Sequence, residues 1–479
     1  MKVKLTRFSD FAQSLLPLEA SFLEGHQRFE DAEKKNILDQ LVAVARGEAN
    51  TDCFDAAVDK RKYSYVKNWC EDLLQSLDVD ENLEKLMEWE HLILTDRISL
   101  ADEKALIKRI LKTEPSDFNF IKIYETGRSY RHYLQIRLRY KDYQLVHQFL
   151  TRYRTDYEFS RLVNDKLHEA THEIISDYSQ KQRANYADSF PWLRSLFYNE
   201  NLDGYNRLLA WIRMVFIAHN KRAYDMLGGM FEYFEQLVKE GKLYSRRIVT
   251  NFYSQYLLYY ASIQDFNKAA ACGYLSVKEV NNDYLYYINN LAAVLLRTGR
   301  ANEALSILKT SAALAKNALN QHNRIGHAAY TIFALIDTDK AKQAENHAFV
   351  FVTAFKKEIF EHRWHLFFTA YFKAMLVNAN YRGVIKAWSN YKLGDRDSQY
   401  THSPNYAPSL PWMYYLAMYK IDELDLNALQ VKLQTLARQE TTFYHAMNRT
   451  DLWELSRSIL KNDFTKLGFT ENVSPNPKQ

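Results

Sequence analysis

The sequence predicts an all-α protein, and three observations carry that expectation. Turn formers are scarce, with 13 Gly and 8 Pro in 479 residues, against roughly 7% and 5% in an average chain. A β-sandwich or propeller needs a turn about every 8–12 residues, so those architectures are excluded, as are collagen and glycine-loop nucleotide folds. Apolar residues recur at the helical period, as in Leu134, Leu138, Leu145 and Phe149, or in Ile288, Leu291 and Leu295. No run of alternating β-branched residues bounded by Gly or Asn-Gly interrupts them.

Charge suggests where the chain divides. Residues 1–110 carry 16 Lys/Arg against 22 Asp/Glu, although the whole chain has a net charge of +5. The string Thr113-Glu114-Pro115-Ser116-Asp117 combines a proline with capping residues, and helices stop at such places. We therefore expect an acidic helical N-terminal domain over 1–115, a helical repeat domain over 116–465 and a disordered polar tail over 466–479. The Leu15–Leu18 run is too brief for a signal peptide, and no apolar stretch of 18 residues occurs. Three dispersed cysteines, Cys53, Cys70 and Cys272, form no CxxC pair and suit a reducing compartment. A soluble cytoplasmic protein with no membrane partner is the expectation.

Taken in chain order, the first chemical signal is residues 122–154. Eight cations (Lys122, Arg128, Arg131, Arg137, Arg139, Lys141, Arg152 and Arg154) interleave with six tyrosines there. Charge with stacking rings suits single-stranded nucleic acid, whereas the spacing of Arg131, Gln135, Arg139 and Asp142 suits an ordinary solvated face. Next comes His168-Glu169-Ala170-Thr171-His172. On a helix His168 and His172 share a face and could hold Zn²⁺, with Glu169 as general base and Glu200 as third ligand. Charged flanks at Lys166 and Glu173, and the long step to Glu200, favour an incidental pair on a solvated helix. A third cluster, Glu358, Glu361, His362 and His365, falls on one helical stripe and reads as an exposed face with ion pairs. No phosphate loop, dinucleotide fingerprint or GxSxG elbow is present, and no cofactor is expected.

The region 205–395 repeats itself. Leu208, Trp211, Ile212 and Val215 precede a turn at Asn220-Lys221 and a helix from Ala223. Leu257, Leu258 and Ala261 precede Phe266 to Ala270 and Tyr274. Leu291, Ala292 and Leu295 precede Gly299, which suits a left-handed helix end, and then Glu303, Ala304, Leu305 and Leu308. Ala270 and Ala304 lie 34 residues apart. Looser copies follow at 40-residue intervals: Ile332 and Leu335 with Ala344 and Ala348, then Phe372 and Met375 with Asn380-Tyr381 in the turn and Val384 and Trp388. Beyond them, 394–411 holds three of the prolines and reads as the longest irregular loop.

These hairpins, joined through small residues, resemble tetratricopeptide (TPR) repeats. The resemblance implies a right-handed superhelix of antiparallel helix pairs, and as function a non-enzymatic scaffold or adaptor that grips a protein or peptide partner. Carried over residue by residue, the family's ligand-facing positions fall on Phe252, Gln255 and Tyr259, on Tyr286, Asn289 and Arg297, and on Lys373. Asn289 and Arg297 alone match the residue types of the family's carboxylate clamps. Two readings from other classes stand beside this one: a helical zinc peptidase using His168, Glu169, His172 and Glu200, and a nucleic-acid-associated regulator using 122–154.

Overall fold

The structure, a computed structural model, describes residues 5–180, 189–221, 223–401, 403, 406–438 and 449–467. Among them are 27 α-helices and no strand, so the all-α class holds. The expected tail over 466–479 lies almost wholly outside the described residues. The chain forms two compact units, Met1–Phe252 and Tyr253–Gln479.

The first unit contains α1 (Thr6–Ser14), α2 (Pro17–His26), α3 (Ala32–Ala45), α4 (Lys60–Leu77), α5 (Val79–Leu94), α6 (Leu100–Lys112), α7 (Phe120–Ile136), α8 (Tyr140–Arg152), α9 (Arg154–Gln180), α10 (Ser189–Phe197), α11 (Gly204–Lys221) and α12 (Met230–Lys239). Short polar residues start many of these helices by satisfying the orphan N–H groups of a first turn. Asp31, Asp59, Asp78 and Ser99 each accept a backbone N–H two or three residues on. Pro17 opens α2, where its missing N–H is harmless, and the Glu19 carboxylate takes the Leu16 N–H at 2.7 Å.

Residues 113–117 form the turn between α6 and α7, and one apolar cluster runs across it from Leu86 and Trp89 through Leu106 and Ile110 to Tyr130, Val146 and Leu150. The helix expected from Ala223 does not form. Tyr224–Leu227 is a 3₁₀ turn, and Gly228 with left-handed Gly229 delays the next α-helix to Met230.

The second unit begins within α13 (Arg246–Ser262) and continues through α14 (Phe266–Ser276), α15 (Tyr284–Arg297), α16 (Ala301–Thr310), α17 (Ala312–Asn317), α18 (Gln321–Ile336), α19 (Ala341–Ala354), α20 (Lys356–Glu361), α21 (Trp364–Val377), α22 (Tyr381–Asn390), α23 (Leu393–Tyr400), α24 (Ser409–Lys420), α25 (Leu426–Ala437), α26 (Arg449–Leu460) and α27 (Asn462–Lys466). Packing follows chain order. Helix α15 touches α14, α16 and α18; α18 touches α19 and α21; α21 touches α22 and α24; α24 touches α25. Fully buried small residues allow close approach: Ala292 and Ala304 in one hairpin, Ala344 and Ala348 in the next. Gly273 serves the same end on α14, where an added Cβ would meet Leu257 at 2.8 Å and Leu291 at 2.7 Å.

Two expectations are corrected here. Of residues 394–411, expected as an irregular loop, 394–400 and 409–411 are helical; α23 is held by fully buried Leu393 and by Asp397, which accepts the Tyr406 hydroxyl. The cluster 358–365 is not one helical stripe. Helix α20 stops at Glu361, His362 leaves the helical region (φ −121°, ψ −77°), and His365 belongs to α21, where it is 5% exposed.

Candidate functional site

The hairpin turns set the register of the second unit, and they share one geometry. At Gln264, Gly299, Asp339, Ala379 and Asp422 the backbone has positive φ. The N–H of each following residue reaches back five residues, as from Arg300 to the Leu295 carbonyl (2.8 Å) and from Asn380 to Met375 (2.8 Å). This is the Schellman closure of a helix C-terminus. It delivers α13, α15, α18, α21 and α24 as the first helices of successive hairpins.

On these first helices two of the expected groove residues, Gln255 and Tyr286, come together, and Asn289 turns to the neighbouring α18. Tyr286 (α15) is partly accessible yet densely surrounded, and its hydroxyl faces Asn290 and Gln255. Burial drives its pKa up, with Asn290, Arg363 and Gln255 pulling the other way, so the phenol stays protonated. Asn289, 2% exposed, donates Nδ2 to the Asn323 carbonyl at 2.9 Å. Asn290 in turn donates to the Ser254 hydroxyl at 3.4 Å. Ser254 and Gln255 of α13 thus form a polar patch with Tyr286 and Asn290 of α15.

The other expected residues lie elsewhere. Phe252 is 1% exposed in the core of the first unit, stacked on Phe234 at 4.8 Å. Tyr259 sits half-buried in a ring cluster with Tyr256 and Tyr260. Arg297 is engaged by Asp451 of α26 at 3.5 Å. Lys373 is held by Asp337 at 2.9 Å.

Two residues were missed. Arg363, at the N-terminal edge of α21, lies against Gly326 of α18, and Asn289 Nδ2 would stand 3.1 Å from a Cβ added to that glycine. A Cβ at Gly326 would displace the end of the Arg363 side chain and press on Asn289 Nδ2. The sequence hid Arg363 inside what read as a continuous 358–365 helix.

The alternative sites have their own geometry. His168, Glu169 and His172 lie exposed on α9, while exposed Glu200 follows α10 and accepts the Tyr233 hydroxyl at 3.5 Å. Among the described residues no three His, Cys, Asp or Glu side chains gather as a metal site. Over 122–154, Lys122 pairs with Glu90, Arg137 with Asp96 (2.6 Å), Arg139 with Glu103 and with Asp142 (2.6 Å), and Arg154 with Glu158 (2.9 Å). Tyr124 and Tyr130 are buried, donating to the Leu150 carbonyl (2.8 Å) and to Glu103 (2.6 Å).

A separate buried pair joins α21 to α23. His365 Nε2 and Asp397 Oδ1 lie 3.8 Å apart, and the Tyr406 hydroxyl donates to Asp397 Oδ2 at 2.9 Å. Burial pushes Asp397 up to about 7, against the opposing Tyr406 hydrogen bond. Burial pulls His365 down to about 4, against its bond to the Ala407 backbone.

Among the described residues, no helix is long and apolar enough to cross a membrane. Comparison with protein-family models, curated proteins and solved structures returned no match to this chain.

Proposed function

We propose that the second unit is a TPR-like right-handed superhelix of helix hairpins, and that the protein is a non-enzymatic scaffold which binds a protein or peptide partner on the face formed by the first helices. The nearest-neighbour packing of successive hairpins supports the architecture, since repeats of this kind bury their apolar faces only against each other. One observation carries the function: Gln255 of α13 and Tyr286 and Asn290 of α15, from neighbouring first helices, meet in one polar patch. Packing alone gives no reason to gather amides and a phenol there, because buried polar groups cost free energy. A partner with backbone amides to satisfy gives one, and tyrosine supplies rigid contact at low entropic cost.

The test is affinity capture of partners from the native host by the immobilised full chain. Replacing Tyr286→Ala and Asn290→Ala together is expected to abolish capture with helicity unchanged by circular dichroism. Lys373→Ala, whose ammonium is already held by Asp337, is expected to leave capture intact. Equal capture by the double variant would sink the assignment of this face.

A further inference from the structure

The most exposed apolar side chains of the first unit gather at one place. Among its described residues the five most exposed large hydrophobic side chains are Leu94 (71%), Leu100 (71%), Ile136 (64%), Leu138 (65%) and Tyr140 (67%). All five stand at two helix-hairpin turns. Leu94 ends α5 and Leu100 opens α6; Ile136 ends α7, Tyr140 opens α8, and Leu138 is the apex between them. The two turns close alike, with positive φ at Asp96 and Leu138. In each the next N–H bonds five residues back, from Arg97 to the Leu92 carbonyl (2.8 Å) and from Arg139 to Leu134 (3.1 Å). They are also joined, since Arg137 pairs with Asp96 at 2.6 Å and Arg139 pairs with Glu103 of α6.

Single apolar residues scattered over a surface need no explanation, but five on two linked turns make a patch. At one apex the backbone takes a left-handed conformation that glycine or asparagine adopts with less strain. Leucine stands there instead, with most of its side chain in solvent.

The surrounding charges point to what covers the patch. Its acids are engaged within the fold: Asp96 by Arg137, Glu103 and Asp142 by Arg139, and Asp102 by Lys85 at 3.7 Å. Exposed Arg97, Lys104 and Lys141 form no ion pair among the described residues. The patch is therefore apolar at its apices and positive at its rim. Membrane association grows with the apolar area buried at the headgroup boundary and with attraction to anionic lipids, and tyrosine suits that boundary. Single-stranded nucleic acid would need stacking rings. Tyr140 is the one exposed tyrosine of residues 122–154, the others being buried or partly buried.

We propose that the α5–α6 and α7–α8 turns dock the protein on an anionic phospholipid surface. The apolar apices dip into the headgroup region, and Arg97, Lys104 and Lys141 meet the lipid phosphates. This departs from the absence of a membrane partner expected from the sequence, and it is independent of the partner-binding face on the second unit.

The test is co-sedimentation of the full chain with vesicles of phosphatidylcholine alone, or with phosphatidylserine as about a third of the lipid. The wild type is expected to bind the anionic vesicles about tenfold or more tightly than the neutral ones. Leu94→Gln with Leu138→Asn, where asparagine keeps the left-handed turn, is expected to weaken that binding about tenfold or more. Lys104→Gln with Lys141→Gln is expected to cut the preference for anionic lipid about fivefold or more. All four positions are exposed, and the second pair keeps the test decisive if the first unfolds. Binding to neither vesicle, equal binding to both, or binding unchanged in both variants would overturn the proposal. So would a wild-type dimer, seen by light scattering, that the first pair dissolves while vesicles stay unbound; that result would assign the patch to a second copy. Retention on single-stranded DNA with vesicles unbound would overturn it in favour of nucleic acid.

Discussion

His365 and Asp397 show how burial alone sets charge at a single residue. Each is nearly enclosed, and each is driven toward its neutral form, the histidine down to about 4 and the aspartate up to about 7. Their effects on stability run in opposite directions. A raised carboxylate binds its proton more tightly in the folded chain, so its contribution is fullest below the ordinary value of about 3.9. It is lost as pH rises toward 7. A lowered histidine contributes most above about 6.5 and loses that contribution as pH falls toward 4. In the intact pair the two slopes offset between these limits. His365→Phe is therefore expected to give a protein whose melting temperature falls as pH rises from 4 to 7. Asp397→Asn is expected to give one whose melting temperature rises over the same range. Thermal denaturation across that range checks both, and slopes of the same sign would contradict the pairing. The sequence placed His365 on an exposed stripe, because helical periodicity carries no sign of the break at His362.

At the scale of the helix, the hairpin turn is the repeated device. Its left-handed position is glycine at Gly299 but Leu138, Gln264, Asp339, Ala379 and Asp422 elsewhere. A side chain in that conformation costs roughly 1–2 kcal/mol. Ala379 and Leu138 are exposed, so little packing offsets that cost. Ala379→Gly and Leu138→Gly are each expected to stabilise the protein by about 1 kcal/mol. Gly299→Ala, with nothing within 4 Å of the new Cβ, is expected to lose a similar amount through backbone strain alone. Urea denaturation measures all three, and a destabilised Ala379→Gly would refute the strain argument.

The same turns explain what could be read beforehand. The all-α class and the helices carrying Ala292, Ala304, Ala344 and Ala348 follow from composition and periodicity, which are local. The hairpin spacing was legible at Gly299, where the glycine announces the turn. It was obscure where an aspartate, glutamine or alanine does the same work. The turn residues 264, 299, 339, 379 and 422 are 35, 40, 40 and 43 residues apart, so no single period runs through the array.

For the molecule as a whole, the division at 252/253 assigns Phe252 to the first unit and Gln255, Tyr286 and Asn290 to the second. Tyr286 and Asn289 lie on α15 as the sequence register placed them. Arg297 and Lys373 had the right charge and register, yet Asp451 and Asp337 had already claimed them. Such pairing across 36 residues or more of chain leaves no mark in a local pattern. Arg363 and Gly326 meet only once α18 and α21 pack, so neither residue signalled a site by itself.

Photo-crosslinking from the first-helix face tests the binding claim most directly. A benzoylphenylalanine replacing Gln255 in the full chain would be compared with one replacing Phe349, an exposed residue on α19. Irradiation in the native host is expected to join a specific protein to position 255, with no such adduct at 349, and the adduct should vanish when Tyr286→Ala and Asn290→Ala are added. Adducts of equal yield at both positions, or none at 255, would contradict a partner-binding face on the first helices.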